Sequence, residues 1–266
     1  MGMEHIGALA MSCGGRSGCS RRLGRSALGI FGALLCALGL LGDRARAEDP
    51  WPFWGRTATR LGNTTTIGPQ TPTIAWSIKF NVDSSDAIRE GSPVMDAKGR
   101  VFVTHAAGIT AIDSPARTVL WQFTDGGPVQ GAAAVWGGRV VWGDALGFDT
   151  LYCFDAATGA EIWREEDRYI ITSPVVSPDG VVFVAADGGA VLARRVEDGS
   201  EVWTTHIDPS AYCSPSLAWP TLLTSGSDGS DVMALDPLTG DTGWTFPTGR
   251  EVFGLTPILL TIEKTM

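Results

Sequence analysis

The sequence contains little charge, little histidine and few cysteines. Charged residues make up 18% of the 266 residues and hydrophobic residues 44%, which excludes a highly charged, disordered tail. His105 and His206 have no second His or Cys at metal-ligand spacing, so no metal site is expected at either. Only Cys153 and Cys213 lie beyond residue 47, and two cysteines do not make a disulfide framework. We expect these two thiols not to be bonded to each other, because a whole repeat lies between them.

The apolar run Ala27 to Leu41 has 15 residues, fewer than the roughly 20 that a membrane-spanning helix needs. It follows a basic stretch and precedes Ala45-Arg46-Ala47, which is the order of a secretory signal peptide. We therefore predict that residues 1–47 are a signal peptide, and that the protein is exported to the periplasm or cell envelope, or is secreted. The alternative is an uncleaved anchor. After cleavage no transmembrane segment is expected.

Basic residues are scarce beyond the predicted signal peptide. Residues 48–266 contain 14 basic and 27 acidic residues, which gives a net charge of −13. A chain this acidic repels nucleic-acid phosphates and anionic lipid, and no basic stripe interrupts it. Nucleic acid is therefore excluded as a partner.

A repeat with a period of roughly 40 residues runs through the chain, which is the range of propeller repeats. Trp121, Trp163, Trp203 and Trp244 follow one another at nearly equal intervals, and Trp76 precedes the first of them at a slightly longer one. A second landmark with the same period is Ser-Pro or Thr-Pro, and its serines are expected to be repeat positions, not nucleophiles. The other structural repeat positions are aspartates eight positions before the tryptophans and glycines four positions before them: Asp113, Asp155, Asp236, Gly159, Gly199 and Gly240.

Each repeat shows short β-strands and tight turns, with no sustained helical period. In the third copy, Val175-Val176 and Val181 to Ala185 flank the turn Ser177-Pro178-Asp179-Gly180. Asp-Gly pairs favour tight hairpins, and β-branched residues fill the runs between them. Four antiparallel strands in such a repeat predict an all-β propeller blade, which buries its faces only against neighbouring blades.

The predicted boundaries leave two strands unassigned to a complete blade. Four complete copies span residues 93–123, 132–165, 174–205 and 215–246, within a partial propeller of residues 74–266. A lead segment, residues 48–73, precedes it. Ile74 to Phe80 is expected to be a last strand, and Thr256 to Ile262 a first strand. We therefore expect an incomplete ring with exposed terminal blade faces; a short closed ring of four blades is the alternative.

Two segments resemble the tryptophan-docking repeat of PQQ-type β-propellers: Ala234 to Gly240 with Trp244 following, and Phe154 to Trp163. Trp51-Pro52-Phe53-Trp54-Gly55-Arg56 is similar to the opening of exported PQQ-like repeat proteins. The resemblance implies a propeller of eight or a similar number of blades, in which each Trp packs between adjacent blades. The family includes quinoprotein dehydrogenases and a cofactor-free lipoprotein of the outer-membrane β-barrel assembly machinery. A WD-type propeller fits less well, because Asp does not follow the tryptophans.

No catalytic constellation is found in the sequence. The resemblance to dehydrogenases implies an adjacent cysteine pair and a calcium site with Glu and Asn, but Cys153 and Cys213 lie far apart and the asparagines are confined to Asn63 and Asn81. The segments Glu165 to Asp167 and Asp228 to Asp231 are expected to be a solvated loop and a hairpin turn. We therefore expect a noncatalytic, exported scaffold that binds a protein or small ligand on one propeller face, without cofactor. The alternative is a PQQ-dependent dehydrogenase or a fragment of one.

Overall fold

The computed structural model describes residues 50–65, 67, 73–79, 91–127, 131–144, 149–166, 170, 172–207, 213–225 and 231–247. These residues form four antiparallel sheets of four strands each, and they contain no α-helix. No helix among them is long and apolar enough to cross a membrane.

Each sheet takes its four strands consecutively from the chain, so each sheet is one blade. Blade 1 contains β1 (Val94–Met95), β2 (Arg100–His105), β3 (Gly108–Asp113) and β4 (Thr118–Phe123). Blade 2 contains β5 (Ala134–Trp136), β6 (Arg139–Gly143), β7 (Leu151–Asp155) and β8 (Glu161–Glu165). Blade 3 contains β9 (Val175–Val176), β10 (Val181–Ala185), β11 (Ala190–Arg195) and β12 (Glu201–His206). Blade 4 contains β13 (Ser216–Ala218), β14 (Thr221–Ser225), β15 (Asp231–Leu235) and β16 (Thr242–Pro247).

The first strands of successive blades contact one another, β1 with β5, β5 with β9 and β9 with β13. They are therefore the innermost strands, and the predicted all-β architecture of four-stranded blades is confirmed. The first two strands of blade 2 are joined by a tight turn. Between β5 and β6 the two-residue turn Gly137-Gly138 has φ values of 57° and 81°, a left-handed conformation that favours glycine.

The hydrophobic core lies between the blades. Strand β10 is buried along its whole length, whereas every residue of β16 is exposed. One core cluster joins Val141 and Leu151 of blade 2 to Val182 and Leu192 of blade 3. The middle strands are apolar on both faces because neighbouring blades cover both, as the run Val181 to Ala185 requires.

The serines of the Ser-Pro landmarks join neighbouring blades. The Ser173 hydroxyl oxygen accepts the Ala132 N–H at 2.9 Å, and the Ser214 hydroxyl oxygen accepts the Ser173 N–H at 2.9 Å. Each contact spans 41 residues, one repeat. The landmarks at Ser173 and Ser214 thus make blade-to-blade hydrogen bonds at the entrances to β9 and β13.

The expected last strand from Ile74 to Phe80 is absent from the part of it that the structure describes. Residues 73–79 belong to no strand, and the side chains of Ile74 and Trp76 are 89% and 38% exposed. This prediction is wrong for these residues, because a strand needs a paired neighbour and none of the described strands pairs with them. The segment Thr256 to Ile262, the predicted signal peptide and most of Asp228 to Asp231 lie outside the described residues. The incompleteness of the ring stays a prediction.

Candidate functional site

The beginning of the lead segment runs along the innermost strands of the blades. We call residues 50–62 the axial segment. The Trp51 N–H and carbonyl both bond to Met95 of β1, at 2.8 and 2.7 Å. The Pro52 carbonyl accepts the Val135 N–H at 2.8 Å, and the Ala58 carbonyl accepts the Leu217 N–H at 2.8 Å. The axial segment therefore bonds through its backbone to blades 1, 2 and 4.

Arg60 anchors the end of the axial segment between blades 3 and 4. Its guanidinium donates to the carbonyl oxygens of Ser173 and Pro174 at 2.9 and 3.1 Å, and to that of Pro215 at 3.0 and 3.3 Å. A further bond at 2.9 Å reaches the Trp54 carbonyl within the segment. Burial lowers the pKa of Arg60 to about 9, so the side chain is still a cation at neutral pH. This buried charge is held by backbone dipoles that converge from two blades.

A cavity of about 650 Å³ lies between the axial segment and the turns that follow the innermost strands. This is the size of a small-ligand or peptide side-chain pocket. Its walls come from the axial segment and from blades 1, 2 and 3, and they are mainly apolar. Phe53 comes from the axial segment, and the turns and innermost strands contribute Lys98, Trp136, Val176 and Pro178 to the cavity wall.

One cation lies at this cavity without a described acidic partner. The Arg100 guanidinium pairs with Asp96 at 2.6 and 2.7 Å, so these two lining residues neutralise each other. Lys98 lines the same cavity and is exposed, and no ion pair joins it to another described residue. On a chain with a net charge of −13 beyond residue 47, Lys98 is a local positive site.

Three of the repeat tryptophans dock onto the next blade. The indole N–H groups of Trp121, Trp163 and Trp203 donate to the carbonyls of Ala156, Val196 and Pro237, at 3.2, 2.9 and 3.0 Å. A repeat glycine lies against each indole. A Cβ at Gly159, Gly199 or Gly240 would come within 2.6, 2.8 or 2.7 Å of the docked ring.

The two ends of the blade series differ from this pattern. Trp244 is 46% exposed, compared with 7% for Trp203, and Phe246 on the same strand is 61% exposed. In blade 1 the glycine position is occupied by Arg117, which has a φ of 59°. An arginine Cβ there blocks the close approach that an indole makes to glycine, so Trp76 has no equivalent docking position.

The repeat aspartates lie in the turns between the third and fourth strands. Asp113 accepts the Ala116 N–H at 2.8 Å, and Asp236 accepts the Leu238 N–H at 2.7 Å. Hydrogen bonds from Thr158, one from its N–H and one from its hydroxyl, lower the pKa of Asp155 below its usual value. These carboxylates order tight turns and lie on no shared site.

The histidines and the acidic segment from Glu165 occupy unrelated places. His105 is buried; its Nδ1 accepts the Ala107 N–H at 3.3 Å, and its Nε2 lies 3.0 Å from the Thr110 hydroxyl. His206 is exposed at the end of β12. The prediction of a solvated loop is wrong for Glu165, which ends β8 and bonds to Arg194 of blade 3 at 2.7 and 2.9 Å. The buried Arg194 guanidinium makes this an interblade ion pair.

Cys153 and Cys213 are both buried and no disulfide joins them, so the expectation that they are not bonded to each other is confirmed. Burial raises the pKa of Cys153 to about 12 and also raises that of Cys213. Neither thiol is a nucleophile at neutral pH. No group of three His, Cys, Asp or Glu side chains lies close enough to hold a metal ion in the parts of the chain that the structure describes.

The sequence analysis missed Arg60, Lys98 and the cavity. The only sequence signal for the axial segment is the aromatic cluster from Trp51 to Trp54, which stands before the first repeat without its period. Nothing in the spacing of Arg60 distinguishes it from other arginines, because its four acceptors are backbone carbonyls, which every residue has.

Sequence comparison finds relatives among outer-membrane assembly proteins. A family model described as "Outer membrane protein assembly factor BamB" matches residues 147–261. BamB of Nitrosomonas eutropha is 24% identical over 185 residues, which cover 67% of this chain and 43% of that protein. The serine/threonine-protein kinase AfsK of Streptomyces coelicolor is 31% identical over 118 residues, 42% of this chain and 14% of that protein. The chain thus spans less than half the length of these relatives.

Solved structures share the fold. The crystal structure of BamB from Moraxella catarrhalis has a TM-score of 0.54 at 18% identity, covering 66% of this chain and 53% of that one. The quinohemoprotein alcohol dehydrogenase from Comamonas testosteroni has a TM-score of 0.59 at 18% identity, covering 84% of this chain and 45% of that one. At these identities the likeness concerns the fold alone.

Proposed function

Because this chain is a PQQ-like β-propeller repeat protein, we propose that it is an exported, noncatalytic scaffold that binds a protein partner in the cell envelope. The sequence relationship to BamB supports a role of the assembly type in the periplasm. The observation that carries the proposal is the cavity between the axial segment and the turns of blades 1, 2 and 3. It is concave, mainly apolar and bordered by a cation, as partner-binding sites often are.

The face that contains this cavity also presents an exposed aromatic side chain. Trp219, in the turn between β13 and β14, is 51% exposed. Trp136 ends β5, directly before the corresponding turn of blade 2, and lines the cavity. Tryptophan is enriched in the energetic centres of protein interfaces, because a large rigid ring buries much apolar area at low entropic cost. We place the partner on this face.

The dehydrogenase alternative rests on the fold alone. The adjacent cysteine pair that the resemblance implies does not fit this chain, since Cys153 and Cys213 are buried in different places and are not bonded to each other. Adding PQQ and calcium to the purified chain with an alcohol and a reducible dye tests this alternative. Dye reduction that depends on PQQ would favour it and count against the scaffold.

Site-specific photo-crosslinking in the source organism tests the scaffold proposal. A photoreactive amino acid at position 219 is expected to give a discrete cross-linked product in the envelope fraction. The same group at Ile162, which is 38% exposed on the outermost strand of blade 2, is the matched control and is expected to give none. Recovery of the chain in the cytoplasm, or cross-links of equal yield from both positions, would contradict the proposal.

A further inference from the structure

Four backbone positions on the innermost strands are equivalent. Met95, Val135, Val176 and Leu217 follow one another at the same interval as the repeat itself. Each pairs with a residue of the second strand of its own blade. The axial segment supplies a carbonyl acceptor to the N–H of three of them, Met95, Val135 and Leu217.

At the fourth position, the backbone N–H of Val176 points to the same side of its strand as the N–H groups of the other three positions do. Val176 is paired with Val182, and the next N–H, that of Ser177, donates to the Val181 carbonyl at 2.8 Å. In an antiparallel ladder this makes Val176 and Val182 a non-hydrogen-bonded pair, so the Val176 N–H and carbonyl face away from β10. Among the described residues, none accepts this N–H. Val176 lines the 650 Å³ cavity.

An open backbone donor at the edge of a buried strand is a position for an extended peptide. The axial segment shows what fits there, since peptide carbonyls fill the three equivalent positions. Strand-edge recognition of this kind takes its affinity from main-chain hydrogen bonds and its selectivity from side-chain pockets. The pocket here has Phe53, Trp136 and Pro178 in its wall, and Lys98 adds a positive charge.

We propose that the cavity binds an extended segment of the partner polypeptide in which an apolar side chain neighbours an acidic one. A carbonyl of that segment accepts the Val176 N–H, the apolar side chain packs on Phe53 and Trp136, and the carboxylate approaches Lys98. This inference rests on the proposed scaffold function and specifies its recognition site.

Panning a random heptapeptide phage library on the full chain tests the site, with the Trp136→Ala chain used for counter-selection. We expect enriched peptides that contain an acidic residue beside an apolar one. A synthetic, N-acetylated peptide of the enriched sequence should bind Trp136→Ala at least about tenfold more weakly. Trp244→Ala, at a tryptophan on the outermost strand of blade 4 that is 46% exposed and outside the cavity lining, is the matched control and should bind as the unchanged chain does.

Lys98→Glu is the second variant, for the case in which Trp136→Ala does not fold. Residue 98 is exposed, so its substitution is expected to leave the fold intact. It should weaken binding by about three- to tenfold, and replacing the peptide's Glu by Gln should remove most of that difference.

In a titration followed by NMR, the Val176 amide should shift with the peptide. Failure of any peptide to be enriched over the counter-selected chain, or an unmoved Val176 amide, would overturn the proposal. If cross-links from position 219 persist in Lys98→Glu and Trp136→Ala, the scaffold function stands and the peptide site falls.

Discussion

Arg60→Ala is expected to destabilise the protein by about 3 kcal/mol and to lower its Tm by about 10 °C. The substitution leaves four carbonyls without their donor: the buried ones of Ser173, Pro174 and Pro215, and that of Trp54, which is part-buried. Each loss costs about 1 to 3 kcal/mol. Removing a cation from a buried position offsets part of this cost, and the same burial lowers the pKa of Arg60 to about 9. The net loss remains large because one side chain joins the axial segment to two blades.

Arg56→Ala is the matched control for that prediction. Arg56 lies in the same segment, and its guanidinium donates to the Asn63 carbonyl at 2.6 Å in an exposed position. We expect a loss below about 1 kcal/mol, because water replaces an exposed donor. Thermal unfolding followed by circular dichroism measures both variants. Equal losses would show that Arg60 does not anchor the axial segment.

Gly199→Ala is expected to cost about 3 kcal/mol through the contact between blades 2 and 3. The residue has a φ of 75°, and a Cβ there would lie 2.8 Å from the ring of Trp163. The left-handed conformation alone costs an alanine about 1 to 2 kcal/mol. The displaced indole also strains its hydrogen bond to the Val196 carbonyl, which is 2.9 Å long in the structure.

Gly188→Ala separates backbone strain from blade docking. Gly188 has nearly the same φ, 74°, and a Cβ at this position would have no atom within 4 Å. Its loss should be about 1 to 2 kcal/mol, from strain alone. In urea unfolding, both variants should shift the midpoint with little change of slope. The indole N–H resonance of Trp163 should move in Gly199→Ala and stay in place in Gly188→Ala; the reverse result would contradict the docking role.

The repeat made the blades predictable, because its regular period marks the same turn and the same indole in every copy. The four copies predicted from Trp121, Trp163, Trp203 and Trp244 correspond to four observed sheets. The prediction of a strand around Trp76 was wrong because a tryptophan at roughly the right spacing does not show what lies beside it. Arg117 at the glycine position of blade 1 was the contrary signal.

The candidate site was much less predictable than the blades. Its walls combine a non-repeating segment with turns from three repeats, and such a combination depends on the tertiary fold. The hydrogen bonds of Arg60 run to backbone carbonyls, and the open position at Val176 is a backbone N–H. Neither leaves a pattern of side-chain types in the sequence. Lys98 was equally inconspicuous, since one lysine in a turn is ordinary.

Amide hydrogen exchange at the four equivalent inner positions tests the central claim most directly, that the axial segment covers three blade edges and leaves the fourth open to a partner. Measured by NMR on the full chain without ligand, the amides of Met95, Val135 and Leu217 should exchange slowly. The amide of Val176 should exchange on the order of 100-fold faster, because no described residue accepts it. Adding an enriched peptide should slow Val176 alone. Equally slow exchange at all four positions without peptide would contradict the account.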